Sequence, residues 1–198
     1  MAKRSSKAAP FDRSIKEYWD GDADDPFVIA RFNWEEGEGS REPIAPRFIA
    51  KRRPAAKEGS VDTAERVEVL LPEDAPDLLI DPDLLVSTFE ASYPKGETLA
   101  FAQVTMQFAD APNLHSSFEK ARAWCRQEFC DERQLPVMLV LHAPFRLGSA
   151  NPPHVHAMVL SRQLTRLGWG KVDRLLASDP HRPACATSWF ELRNCGLT

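Results

Sequence analysis

The stretch VMLVLHAPFRLGSANPPHVHAMVLSRQL, residues 137–164, decides the fold of this chain and raises the question of its function. An apolar run at 136–142 is followed, after a loop, by a second run at 154–162. Both runs have the length and the aliphatic, β-branched content of strands. Because consecutive strands joined by a short loop most often pair with each other, we predict an antiparallel pair.

Three of the five histidines of the chain lie in this stretch: His142, His154 and His156. Alternation along a strand puts His154 and His156 on one face, with Cβ atoms roughly 6.6 Å apart. His142 ends the neighbouring strand and can reach the same point. Three imidazoles suit a divalent transition metal that acts as a Lewis acid. The spacing alone equally suits a strand that carries unrelated histidines, whereas His115 and His181 are interpreted as incidental.

The chain is predicted to divide at about residue 60, because the composition changes there. Residues 1–60 are rich in charge, Gly and Pro, and are predicted to be a flexible region with a possible first strand at 27–33. The basic segment KRRPAAK (51–57) is interpreted as a solvated linker. Residues 61–198 are predicted to form one domain.

Four elements are predicted within that domain before the histidine strands. They are a strand at 65–72, a helix at 81–92, a strand at 99–109 with one polar face, and a helix at 116–133. Asp81 is the predicted N-cap of the first helix, and Ser116 with Glu119 forms a capping-box signature for the second. The region after 164 suggests a turn into a short helix. This order predicts an α+β fold, an antiparallel sheet with helices packed on one face.

The overall composition excludes some classes of protein. The net charge of −4 gives no support for nucleic-acid binding by the chain as a whole. No apolar run reaches the length of a membrane span, and no signal peptide is visible, so we expect a cytoplasmic protein without a membrane partner. The spacing of the cysteines matches no standard zinc pattern, and we interpret them as structural or incidental: Cys125, Cys130, Cys185 and Cys195.

A longer pattern around the histidines resembles a known family. LHAPFRLGSANPPHVHAMVLSRQLTRLGWGK (141–171) is similar to the histidine motif of MobA/MobL-type relaxases, which are HUH-superfamily endonucleases of plasmid conjugation and mobilisation. A looser similarity extends over residues 67–172. The matching positions, in order, are His142, Pro144, Asn151, His154, His156, Arg162 and the GWGK segment at 168–171.

The resemblance implies a palm-like antiparallel sheet and a specific chemistry. His142, His154 and His156 would hold a divalent ion, Mg or Mn, that positions a phosphate of single-stranded DNA at a nick site. A tyrosine would attack that phosphate and become joined to it. Other mobilisation proteins would be possible partners. The remaining matches would contact DNA: Asn151, Arg162 and Lys171.

The tyrosine of the family has no clear counterpart here. In the family it follows the first strand, yet residues 34–64 contain no tyrosine. Tyr18 is therefore the candidate nucleophile, although acidic residues around it would repel DNA, and Tyr93 is interpreted as structural. Two functions stay open, a metal-dependent endonuclease of single-stranded DNA and a non-catalytic, relaxase-derived DNA-binding or regulatory protein. A plain globular domain of unrelated function is the third.

Overall fold

The structure, a computed structural model, describes residues 11–22, 25–53, 64–109 and 113–194. Its strands are β1 (Ile15–Asp20), β2 (Phe27–Trp34), β3 (Ala64–Leu70), β4 (Leu99–Gln107), β5 (Val137–His142), β6 (His154–Leu160), β7 (Arg162–Thr165) and β8 (Gly168–Val172). Its α-helices are α1 (Ala45–Arg52), α2 (Pro82–Ala91), α3 (Leu114–Cys125) and α4 (His181–Asn194). Short 3₁₀ turns occupy Asp77–Ile80, Pro144–Leu147 and Arg174–Ala177, and a π-helical segment, Arg126–Asp131, continues α3.

Six strands form one sheet in the order β1-β2-β4-β6-β5-β3, and every neighbouring pair is antiparallel. The predicted antiparallel pairing of β5 with β6 is thereby confirmed, as is the α+β fold class. The two histidine strands lie inside the sheet, with β4 on one side and β3 on the other. β7 and β8 form a separate hairpin that follows β6.

Helices cover both faces of this sheet, whereas the sequence predicted helices on one face. α3 and α4 pack on one face through Trp124 and Trp189, and α1 and α2 pack on the other through Phe48 and Phe89. The reason lies in the central strands. Every residue of β5 is buried, so both of its faces require apolar cover.

The polar face predicted for the strand at 99–109 exists, but it does not face solvent. β4 lies between β2 and β6, and Gln103 is only 2% exposed. Gln103 and Thr105 point to the face covered by α1 and α2, because Phe101 of the same row packs in that core. A polar row in a buried position indicates a site rather than a surface.

Much of the region predicted to be flexible belongs to the fold. β2 occupies the place of the strand expected at 27–33, whereas β1 and α1 were not predicted. β1 is an edge strand whose pattern is mostly exposed, with Ile15 as its buried member, so it lacks an apolar signal. α1 buries Phe48 as its principal anchor, and such a short helix has little periodicity to detect.

The helix boundaries show which capping predictions hold. The side chain of Asp81 accepts hydrogen bonds from the N–H groups of Asp83 and Leu84, which confirms the cap of α2. α3 instead begins earlier than predicted, at Leu114, because Asn113 caps it through the Ser116 N–H at 2.7 Å. The capping box was therefore wrong. After residue 164 the sequence suggested a turn into a short helix; the structure has the strand β8 directly after the turn, and a short 3₁₀ helix follows at Arg174–Ala177.

None of the helices in the described ranges has the length and apolar character needed to cross a membrane.

Candidate functional site

The register of the central strands brings the three predicted histidines together. His142 of β5 pairs directly with His154 of β6, and His156 lies between Val140 of β5 and Thr105 of β4. The three ring centres are 5.3 Å apart for His142 and His154, 5.2 Å for His142 and His156, and 4.7 Å for His154 and His156. We call these three side chains the strand histidines.

Alternation in β6 explains why they share a face. His154, His156, Met158 and Leu160 form one row, and the last two pack in the core beneath α1 and α2. The strand histidines thus occupy one end of a row whose other end is apolar. His142 and His156 are buried and His154 is half-buried, so the cluster is shielded from water without being closed.

The spacing of the rings suits a shared ion. Three imidazoles bound to one ion at about 2.0–2.1 Å per nitrogen would have ring centres about 4.5–5.2 Å apart. The observed separations of 4.7 and 5.2 Å fall in this range, and that of 5.3 Å lies just above it. In one group of the described residues, three potential ligand atoms lie within 4.8 Å of one another. The ring nitrogens of the strand histidines are not gathered so closely. The backbone therefore sets the spacing, and the rings must turn to converge on an ion.

Neighbouring groups fix the protonation of two of the rings. His154 Nδ1 lies 3.0 Å from the carbonyl oxygen of Pro152, so Nδ1 carries the proton and Nε2 keeps its lone pair. His156 Nδ1 lies 3.0 Å from Thr105 Oγ1, a group that can orient it in the same way. Burial lowers the pKa of His154 and lowers that of His156 further, so both imidazoles are neutral, as metal ligands must be.

Lys51 adds a positive charge that the sequence interpretation missed. It belongs to α1, not to a solvated linker, and its Nζ lies 3.5 Å from His156 Nε2. Burial lowers the pKa of Lys51, although the charge of Glu17 acts in the opposite direction. An ion at His156 Nε2 would displace this ammonium, which its flexible stem allows.

The structure does not bring Tyr18 to the strand histidines. Tyr18 pairs with Arg31, while its neighbours Glu17 and Trp19 contact Arg47 and Phe32 on the face of α1 and α2. Tyr18 therefore points to the opposite face of the sheet. β1 is also three strand spacings from β6, about 14 Å. The prediction of Tyr18 as nucleophile is not supported by this placement.

Tyr93 has the structural role that the sequence suggested. Its ring is buried against Trp34 and Phe89, and its hydroxyl donates a hydrogen bond to the Leu99 carbonyl. Burial raises the pKa of Tyr93 to about 12. A phenol held in this way is a poor nucleophile.

Two of the three predicted DNA contacts lie away from the strand histidines. Arg162 is 6% exposed and donates to the carbonyl oxygens of Ser92, Trp169 and Gly170, so it clamps the hairpin of β7 and β8 to α2. Lys171 is exposed on β8, beyond the far end of β6, which is about 20 Å from the histidine end. Asn151, exposed three residues before His154, remains close to the site.

Comparison with known proteins gives a fold but no family. No protein-family model matches the chain, and no curated protein matches it. The fold is similar to a solved structure described as the molecular basis of vancomycin resistance transfer in Staphylococcus aureus. The TM-score is 0.55 at 17% sequence identity, over 67% of this chain and 69% of that chain. The likeness supports an α+β fold of antiparallel sheet and packed helices.

Proposed function

We propose that this protein processes DNA during the transfer of a mobile element, and that the strand histidines bind a divalent ion, Mg or Mn, which holds a phosphate of single-stranded DNA. The observation that carries the proposal is the grouping of three imidazoles on two central strands, with ring centres at most 5.3 Å apart. Similarity to a structure concerned with resistance transfer supports it. The motif at 141–171 supports a finer assignment, a MobA/MobL-like mobilisation protein.

Each residue of the site has a separate role in this proposal. When bound, the ion would act as a Lewis acid on the phosphate. Thr105 and the Pro152 carbonyl orient His156 and His154 through their Nδ1 atoms. Lys51 contributes positive charge beside His156 and attracts the DNA backbone. Asn151, exposed in the loop leading into β6, would contact the DNA next to that phosphate.

The nucleophile that fits this site is water. Of the two tyrosines in the chain, Tyr93 is buried in a core and Tyr18 lies on the other face of the sheet. Water attack would hydrolyse the phosphodiester and leave no covalent link between protein and DNA. This separates the proposed reaction from that of a tyrosine relaxase.

A second function is favoured by a specific observation. The net charge of −4 and the position of Tyr18 suit a non-catalytic, relaxase-derived protein that keeps the fold and binds or regulates DNA. Such a protein would bind single-stranded DNA and leave it intact in the presence of Mn²⁺.

One incubation distinguishes the two functions. End-labelled single-stranded DNA, from transfer origins and from random pools, is incubated with the protein and Mn²⁺ and run on a denaturing gel. If the protein is an endonuclease, we expect shortened, protein-free DNA. Replacement of both His154 and His156 by Ala should then decrease cutting by at least about 100-fold. His115→Ala, an exposed histidine outside the site, is the matched control. Cutting that survives the double replacement would contradict the proposal.

A further inference from the structure

A second cluster of potential ligands lies on the opposite face of the sheet from the strand histidines. His181 and Cys185 of α4 meet Glu128, which follows α3. His181 Nε2 is 2.9 Å from Cys185 Sγ and 3.3 Å from Glu128 Oε1, and Sγ is 3.5 Å from Oε1. His181 and Cys185 are buried and Glu128 is half-buried.

Two helical features build this cluster. His181 and Cys185 are four residues apart on α4, so their side chains lie on one face, one above the other. Glu128 lies in the π-helical segment Arg126–Asp131, where the widened turn changes the direction of its side chain relative to a continued α-helix. Single π turns inside helices occur frequently at functional sites.

We propose that Glu128, His181 and Cys185 bind a divalent transition ion of the zinc class, which ties α4 to the end of α3. A point about 1.9 Å from all three ligand atoms exists at the centre of their triangle, and a small displacement gives the bond lengths of about 2.0–2.3 Å that zinc requires. One imidazole, one thiolate and one carboxylate form a mixed donor set that zinc accepts. A fourth position remains for water.

The arrangement differs from a nucleophilic triad. In such a triad the histidine uses one nitrogen for the nucleophile and the other for the carboxylate. Here Nε2 of His181 is the ring nitrogen closer to Cys185 and also the one that contacts Glu128. The three groups therefore point at a shared centre. Burial, followed by the charge of Glu128, also raises the pKa of the Cys185 thiol, which makes it a poor nucleophile when no metal is bound.

The charges around the cluster balance when an ion is bound. A zinc-class dication with the thiolate and the carboxylate is neutral in sum. Arg133, 3.3 Å from Glu128, keeps a second acidic partner in Asp173 at 3.5 Å. A buried ion at this site would therefore leave no unpaired charge among these groups.

Outer groups also hold the carboxylate in place. The hydroxyl of Ser188 donates to Glu128 Oε2 at 3.3 Å, and Oε1 faces His181, Cys185 and the guanidinium of Arg133. The indole N–H of Trp124 in turn donates to Ser188 Oγ at 2.8 Å. Second-layer hydrogen bonds of this kind are typical of metal sites.

Cobalt(II) substitution tests the proposal, because bonding to a thiolate gives a charge-transfer absorption in the near ultraviolet. The full chain is titrated with Co²⁺ under reducing conditions. We expect this band in the wild type, its loss in Cys185→Ala, and its displacement by Zn²⁺. Cys130→Ala is the matched control, because this buried thiol lies outside the cluster. No band in the wild type, or a band that persists in Cys185→Ala, would overturn the proposal.

Two further measurements serve as controls for the cobalt titration. Circular dichroism establishes that each variant is folded, and the wild-type titration is decisive even when a variant fails to fold. A variant with His154→Ala and His156→Ala should keep the band, because the strand histidines contain no thiol. Loss of DNA cutting in that variant with the band intact shows that the two sites are independent.

Discussion

His142 lies directly opposite His154 across the antiparallel pair of β5 and β6, with ring centres 5.3 Å apart and planes 17° from parallel. This relationship depends on register. A slip of one residue in either strand would turn that strand's histidines to the other face of the sheet. The apolar rows of both strands oppose such a slip, because Val140 and Met158 would leave the core beneath α1 and α2. The packing of the core therefore also sets the geometry of the site.

Replacement of Thr105 by Val should weaken metal binding at the strand histidines. The change keeps the shape of the side chain but removes the hydroxyl that lies 3.0 Å from His156 Nδ1. Loss of such an orienting group lowers metal affinity by about 10- to 100-fold. Isothermal titration with Mn²⁺ measures the change. Thr165→Val, on β7, is the control and should bind Mn²⁺ as the wild type does. Equal affinity in both variants would show that Thr105 does not orient the ligand.

Replacement of Lys51 by Met should weaken binding of single-stranded DNA. The ammonium lies 3.5 Å from His156 Nε2, where it can pair with a phosphate. A plot of log K against log salt has a negative slope. We expect its magnitude to decrease by about 0.7, the value for one phosphate contact on a single strand. Fluorescence anisotropy over a salt series measures it. Lys171→Met is the control, since Lys171 is exposed on β8. A larger effect of Lys171→Met would place the DNA on the other end of the molecule.

Replacement of Arg162 by Met should destabilise the fold without altering the site. The guanidinium is 6% exposed and donates to Ser92, Trp169 and Gly170, whose carbonyl oxygens would lose their partner. We expect the free energy of unfolding to fall by about 2–3 kcal/mol. Urea unfolding measures it, and Mn²⁺ affinity of the folded variant should be unchanged. Normal stability combined with weak DNA binding in this variant would instead support Arg162 as a DNA contact, as the family resemblance implied.

Replacement of Tyr18 by Phe should leave DNA cutting unchanged. Tyr18 is 47% exposed on the face opposite the strand histidines, so its hydroxyl cannot reach a phosphate held there. A denaturing protein gel after incubation with labelled DNA and Mn²⁺ should show no labelled protein in either form. Labelled wild-type protein, with the label lost in the Tyr18→Phe variant, would establish a covalent intermediate and overturn water attack.

The histidine pair could be predicted from sequence because it depends on short-range rules. Alternation places His154 and His156 on one face, and a short connection predicts the pairing that adds His142. Lys51 could not be predicted in the same way. It belongs to a helix of eight residues, more than a hundred positions before His156 in the sequence, and only tertiary packing brings the two side chains together.

The positions of residues relative to the sheet could not be predicted from the sequence for a similar reason. Nothing local to Tyr18 shows that β1 joins the sheet at its edge, three strand spacings from β6. His181 and Cys185 did carry a local signal, the spacing of four residues on a helix, but a helix over 181–194 was not predicted. Glu128, their partner, lies more than fifty residues earlier and becomes a neighbour only when α4 packs on α3.

The most direct test of the strand histidines as a metal site is the number of Mn²⁺ ions that the full chain binds, measured from the electron paramagnetic resonance signal of free Mn²⁺. The comparison includes the wild type, the double variant His154→Ala with His156→Ala, and Cys185→Ala. We predict that Mn²⁺ bound by the wild type is retained in Cys185→Ala and lost in the folded double variant. A double variant that binds Mn²⁺ as tightly as the wild type would contradict the assignment of the strand histidines as a metal site.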